Sequence, residues 1–88
     1  MKKLVQTVEV EGEGLVALLG EKILLMCSNY FYSGKLVGVN DTFVCLEEAS
    51  IVYQTGAWSN KSYDDQQLIG PKLWYVQVSS IESYGLGK

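Results

Sequence analysis

The chain has 88 residues, of which 48% are hydrophobic and 19% charged, and this composition is typical of a single folded domain. Seven lysines face ten acidic residues, for a net charge of −3, and the sequence contains neither arginine nor histidine. The lack of histidine excludes Ser-His-Asp catalysis and histidine-ligated zinc, and the lack of arginine removes the best bidentate phosphate ligand. We therefore expect neither an enzyme nor a protein that binds nucleic acid mainly through charge.

The beginning of the chain does not have the pattern of a signal peptide. Met1, Lys2 and Lys3 are followed by residues 4–11, in which apolar and polar residues partly alternate, and no segment is long enough to span a bilayer. We expect a cytoplasmic protein without a membrane association. Cys27 and Cys45 lack the spacing of a redox or metal motif, so we expect both to be reduced, buried apolar residues, and we expect no metal or cofactor.

The first elements predicted are an arm and a short helix. Residues 1–14 form the arm, and the alternation within residues 4–11 indicates an extended segment or a short strand. Residues 15–19 are apolar and are followed by Gly20, a pattern that favours one or two helical turns with a glycine C-cap.

The pattern of the next two elements is that of β-strands joined by a turn. Residues 23–27 predict a buried strand, and residues 30–39 predict a second strand that contains Gly34 and Gly38. Glycine inside a strand marks a bulge or a sharp bend, because another backbone can approach it closely. A small, strongly bent sheet needs such positions.

The pattern of the second half of the chain predicts three more β-strands and one long loop. Residues 43–46 and 51–53 together form the third predicted strand, with a kink at Ala49 and Ser50. Residues 54–72 are polar almost throughout and predict a long loop of the kind that is functional or mobile. The last two predicted strands are residues 73–78 and 81–84.

Four short segments, in this order and spacing, resemble the Sm-like family, which comprises the Sm and Lsm proteins and Hfq. They are residues 20–25, 29–36, 41–46 and 77–81. The resemblance covers residues 15–84 and is to divergent members of phage origin. It implies a mainly β Sm-like fold in one domain over residues 1–88: a short N-terminal helix and a strongly bent, five-stranded antiparallel small barrel, with residues 54–72 as the variable loop.

The resemblance implies a function in RNA regulation through short single-stranded RNA. The family's stacking residue corresponds to Phe43, and Asn40 and Asp41 precede it in the turn. Two alternatives remain: Phe43 is the first core residue of its strand, or Asn40 and Asp41 only form the turn. Val44 replaces the base-binding asparagine, and residues 76–78 replace the family's basic signature, so most of the family's RNA contacts are missing.

The resemblance also implies a closed homo-oligomeric ring of about five to seven subunits, because exposed strand edges pair unless something closes or blunts them. The candidate interface residues lie on the third and fourth predicted strands: Ile51, Val52, Tyr53, Trp74, Tyr75 and Val76. The competing hypothesis is a ring-shaped scaffold or protein-interaction module that has lost its RNA site. Trp58, Lys61 and Tyr63 in the long loop then either bind a partner or pack on their own domain.

Overall fold

The computed structural model describes residues 14–88, so the predicted arm lies outside the described residues except for Gly14. The described part contains six β-strands and two short 3₁₀ turns, Leu15–Leu18 and Val78–Ser80. The strands are β1 (Lys22–Cys27), β2 (Phe31–Val39), β3 (Phe43–Gln54), β4 (Asp65–Leu68), β5 (Leu73–Gln77) and β6 (Ile81–Leu86). The prediction of a mainly β, antiparallel domain is confirmed, with one strand more than expected.

The predicted N-terminal helix is a single 3₁₀ turn, Leu15–Leu18. Its backbone bonds join Ala17 N to Gly14 O at 3.2 Å and Leu19 N to Val16 O at 3.3 Å. Only four residues lie in the turn, and Gly20, with φ of 86°, ends the segment. A segment of this length forms too few backbone hydrogen bonds to offset the free energy of helix nucleation. Packing of its apolar side chains on the core stabilises the turn.

All six strands belong to one antiparallel sheet in the order β4-β3-β2-β1-β6, with β5 also paired to β3. One edge of β3 pairs with β2, and its other edge pairs with β5 over residues 43–47 and with β4 over residues 50–54. The strand changes direction between these halves at Glu48, which has φ of 52°. This residue lies one position before the kink predicted at Ala49 and Ser50, and β3 pairs with two strands along this edge.

The prediction of an unstructured loop over residues 54–72 was wrong in part, because β4 (Asp65–Leu68) lies within it. The sequence of β4 is Asp-Gln-Gln-Leu, and all four residues are exposed. Because none of them is buried, the segment lacks the apolar pattern by which a strand is recognised in sequence. It is a strand because its backbone pairs with the second half of β3. Backbone pairing of this kind depends on a partner distant in sequence and leaves no local signal.

The core consists of two clusters on opposite faces of β1. On the inner face Ile23 and Leu25 pack with buried residues of β2, β3 and β5, and on the outer face Leu24 packs with Val52 and Tyr63. Alternation along a strand explains the division, because successive side chains point to opposite faces. Tyr63 belongs to the segment between β3 and β4, so this segment packs on its own sheet.

Cys27 and Cys45 are both buried and free, as predicted. Gly34 and Gly38 both lie at shifts in the register of β2 with β3, which agrees with the predicted bulge or bend. Within residues 14–88 no helix has the length and apolar character needed to cross a membrane.

Candidate nucleic-acid interface and strand edges

The turn between β2 and β3 is built around the side chain of Asn40. Its Oδ1 accepts hydrogen bonds from the backbone N–H of Thr42 at 2.8 Å and of Phe43 at 2.9 Å. The backbone N–H of Asn40 donates to the backbone carbonyl of Phe43 at 3.0 Å. Asn40 is thus an Asx turn-former, and Asp41 is exposed at the tip. The oxygen of Asn40 is engaged in the turn, which leaves its amide NH₂ as the group that can meet a ligand.

Phe43 begins β3 on the outer face of the sheet, whereas its neighbour Val44 points into the inner cluster. The Phe43 side chain is 36% exposed and belongs to neither core cluster. Its ring contacts the ring of Tyr75 edge to face, with centroids 5.2 Å apart and planes at 89°. Phe43 is therefore a surface residue that is held in place by an aromatic neighbour.

The β2–β3 turn is joined to the turn between β5 and β6. The backbone N–H of Val78 donates to the carbonyl of Thr42 at 2.9 Å. The 3₁₀ turn Val78–Ser80 is closed by Ser80, whose hydroxyl donates to the carbonyl of Gln77 at 2.9 Å. Two turns that are distant in sequence thus form one polar surface beside Phe43.

Three lysines of residues 14–88 lie beside acidic side chains or carbonyl groups. Lys22 and Lys35 line a groove together with Glu47 and Glu48, so the charges there offset each other. The ammonium of Lys88 is bound by carbonyl groups of the segment after β3. These three lysines are therefore offset or engaged by groups of the same chain.

The predicted interface residues of β5 lie on an edge strand. Trp74 and Val76 point to the inner face and pack on the core, and Tyr75 points outward and is 58% exposed. β5 pairs only with β3, and β6 pairs only with β1, so among residues 14–88 each of these two strands has one edge without a strand partner. The three residues of β5 are thus placed where a second copy could pair.

The other predicted interface segment, Ile51, Val52 and Tyr53, has no free backbone edge. Ile51 pairs with Tyr32 on one side and with Gln67 on the other. The expectation that this segment pairs with a neighbouring subunit is corrected, because β4, which the sequence did not reveal, covers that edge. Two further strands have one edge without a strand partner within residues 14–88: β4, which pairs only with β3, and β6 (Ile81–Leu86), which pairs only with β1.

A groove that sequence analysis missed lies on the outer face beside β6. It has a volume of about 200 Å³ and includes Leu24, Met26, Trp58, Ser83 and Gly85 among its lining residues. Trp58 is held there by Lys88, whose ammonium lies 5.5 Å from the centre of the Trp58 ring. No local pattern marks this groove, because its walls come from β1, β6 and the segment after β3.

Neither a metal centre nor a reactive thiol is indicated in residues 14–88. No group of three or more Cys, Asp or Glu side chains is close enough there to hold a metal ion. Burial raises the pKa of the Cys27 thiol, although a hydrogen bond with Ser80 opposes the change, so the thiol stays neutral at physiological pH. Comparison with known protein families and with curated proteins found no match.

Proposed function

We propose that the protein is a ring-forming Sm-like domain, without catalytic activity, that binds short single-stranded RNA by stacking a base on Phe43. The observation that carries the proposal is the exposed ring of Phe43, fixed edge to face by Tyr75 next to the Asn40 turn. An immobilised aromatic face is a stacking platform for any base and contributes about 1–3 kcal/mol per base.

The order and bending of the elements support the Sm-like part of the proposal. A short N-terminal turn precedes antiparallel strands that bend at Gly34 in β2 and at Glu48 in β3. β4 is an addition to the family's five strands and falls in the segment where the resemblance places the variable loop.

Of the three strands with a free edge in residues 14–88, β5 and β6 support ring formation. β5 and β6 each lack a second strand partner within residues 14–88, and both carry exposed apolar side chains, including Tyr75 and Leu86. Pairing of β5 from one copy with β6 from the next is a head-to-tail contact, which closes into a ring when the rotation per copy divides a full turn. Closure would also remove two edges that otherwise invite aggregation.

Phe43→Ala tests the RNA site. We expect the affinity for a short single-stranded oligoribonucleotide, measured by fluorescence anisotropy, to fall by about 1–3 kcal/mol while the protein remains folded. Tyr53→Ala is the matched control, because Tyr53 is also an exposed aromatic residue of β3, at its opposite end. Equal affinities of the two variants would argue against stacking on Phe43.

Native mass spectrometry of the full chain at low micromolar concentration tests the ring. We expect one species of about five to seven copies, since head-to-tail contacts that close give a single size. A stable monomer would contradict ring formation, and an open series of sizes would mean that the contact does not close.

A ring-shaped scaffold is the second candidate function, and the excess of acidic residues favours it. The chain has ten acidic residues against seven lysines, and a ring multiplies the net charge of −3 by its copy number. The absorbance ratio of the protein purified from cells separates the candidates. Co-purified nucleic acid that Phe43→Ala removes would support RNA binding, and a nucleic-acid-free ring that fails to bind oligoribonucleotides would support the scaffold.

A further inference from the structure

We infer that Tyr75 of one copy packs into the groove beside Gly85 of the next copy, and that this contact selects which strand edges meet in the assembly. The inference rests on the proposed ring and adds the side-chain contact that defines it. The surface is the outer-face groove lined by β1, β6 and Trp58, and its occupant is the β5 strand of a second copy of this chain.

Small residues of β6 make the groove. Ser83 lies opposite Met26, and Gly85 lies opposite Leu24, so these two positions of β6 share the outer face with the larger side chains of β1. The missing side-chain volume leaves a space of about 200 Å³ beside the free edge of β6. Trp58, which is 62% exposed, forms part of its wall.

β5 differs from β6 in its outer face, which carries large side chains next to the free edge of the strand. Leu73 and Tyr75 lie opposite Glu47 and Cys45 of β3 and are 42% and 58% exposed. When two strands pair, side chains on the same face lie next to each other. Pairing of β5 with β6 of a second copy therefore places Tyr75 beside Ser83 or Gly85, where an aromatic ring can cover a glycine at a sheet edge.

Charge favours the same pairing of unlike edges. Lys72 directly precedes β5, which contains no acidic residue, and β6 contains Glu82 and no basic residue. Lys72 and Glu82 are both exposed. Because Lys72 and Glu82 carry unlike charges, the β5 and β6 edges attract each other during approach, whereas two β6 edges carry like charges. Because size and charge complement each other within one chain, a second copy fits the groove better than an unrelated segment.

Gly85→Val and Tyr75→Ala test the contact from its two sides. A Cβ at Gly85 would have no heavy atom within 4 Å, and its φ lies outside the left-handed region, so the variant should fold while its side chain fills the groove. Tyr75→Ala removes the occupant. We expect either change to raise the dissociation constant between copies at least about 30-fold, as loss of an interface hot spot does.

Tyr53→Ala is the matched control, because Tyr53 is 50% exposed but lies on β3, which is paired on both edges. It should leave the copy number in native mass spectrometry unchanged. If Gly85→Val lowers the stability measured by circular dichroism, Ser83→Val fills the same groove from the neighbouring outer-face position. If Gly85→Val or Tyr75→Ala assembles as the unmodified protein does, the inferred contact is wrong even though the ring is present.

A mixture of the two variants decides whether the contact is head-to-tail. The Gly85→Val chain keeps Tyr75, and the Tyr75→Ala chain keeps the groove, so one contact can form between them but no ring can close. We expect native mass spectrometry of an isotopically labelled mixture to show heterodimers. Absence of heterodimers would overturn the inference, as would dissociation of the Gly85→Val protein while the Tyr75→Ala protein stays assembled. A monomeric unmodified protein would instead refute the ring itself.

Discussion

Gly34 lies in β2 opposite β3, near the bend at Glu48, and a side chain there would be crowded by β3. A Cβ there would lie 3.2 Å from the Cα of Ala49, the carbonyl oxygen of Glu47 and the Cβ of Leu46. Because two of these atoms belong to the backbone of β3, the strand itself would have to move. We expect Gly34→Ala to lower the free energy of unfolding by about 1–3 kcal/mol in urea denaturation, as overpacking does.

Gly38→Ala is the matched control for this substitution. Gly38 also lies in β2 opposite β3, but its nearest contact would be the Cβ of Cys45 at 3.4 Å, an ordinary van der Waals distance. Equal stabilities of the two variants would contradict the role that we assign to Gly34 in the bend.

Cys27 and Tyr32 make the stability sensitive to alkaline pH. Burial raises the pKa of the Cys27 thiol, and burial, with smaller contributions from Cys27 and Tyr30, raises the pKa of the Tyr32 hydroxyl. Both groups therefore lose their protons at lower pH in the unfolded chain than in the folded one. Their stabilising contribution is complete below the unfolded thiol pKa of about 8.5 and is lost as the pH rises through the folded values.

We accordingly expect the urea midpoint to fall between pH 8 and about pH 11, and to fall less steeply in Cys27→Ala and in Tyr32→Phe. Each variant is compared with its own midpoint at pH 7, so that its change in packing cancels. Parallel curves for the unmodified protein and both variants would show that other groups cause the alkaline loss.

At the scale of elements, Lys88 fixes the segment between β3 and β4 against the sheet through several contacts. The ammonium of Lys88 donates to the carbonyl of Thr55 at 2.7 Å and of Ala57 at 2.8 Å, and it lies 5.1 Å from the centre of the Tyr63 ring. The backbone N–H of Lys88 also donates to the Tyr63 hydroxyl at 3.1 Å. This set of contacts keeps Tyr63 and Trp58 against the outer face.

We expect Lys88→Met to speed amide hydrogen exchange in this segment, above all at Asn60, whose N–H donates to the carbonyl of Ala57. The methionine side chain has a similar length but cannot donate to the carbonyl groups, so the free energy of local opening is lower. Lys61→Met is the control, since Lys61 is exposed in the same segment. Unchanged exchange at Asn60 in Lys88→Met would argue that packing of Tyr63 alone holds the segment.

At the scale of the whole molecule, the charge balance predicts how RNA binding responds to salt. Each phosphate contact on a single strand contributes about 0.7 to the slope of log K against log salt, and a net charge of −3 without arginine leaves few such contacts. We expect a slope shallower than about −1.5, corresponding to at most about two phosphates. A steep slope would mean that lysines dominate binding.

Asp41→Lys gives this measurement an internal control. Asp41 is exposed at the tip of the candidate RNA turn, so a lysine there should add one phosphate contact and steepen the slope by about 0.7. Asp41→Asn, which removes the charge without adding a cation, should leave the slope unchanged. If Asp41→Lys has no effect on the slope, the RNA does not pass this turn.

The local pattern of the sequence was sufficient for the strands that contribute to the core and for the turn at the candidate site. Alternating or continuous apolar residues predicted β1, β2, β3 and β5, because burial imposes a period that is visible in the chain. Asn40 and Phe43 could be picked out for the same local reason, since turn chemistry and a strand start are encoded within a few residues.

Features that arise from contacts between distant segments were decided only by the tertiary structure. β4 has no apolar pattern and exists because β3 offers it a backbone partner, and it covers the edge of β3 beside Ile51 and Val52. The ring of Phe43 contacts Tyr75 of another strand, and the groove at Gly85 is lined by Leu24 and Trp58 from two other segments. A sequence specifies local conformational preference strongly, but which edges and faces stay uncovered depends on how all strands pair at once.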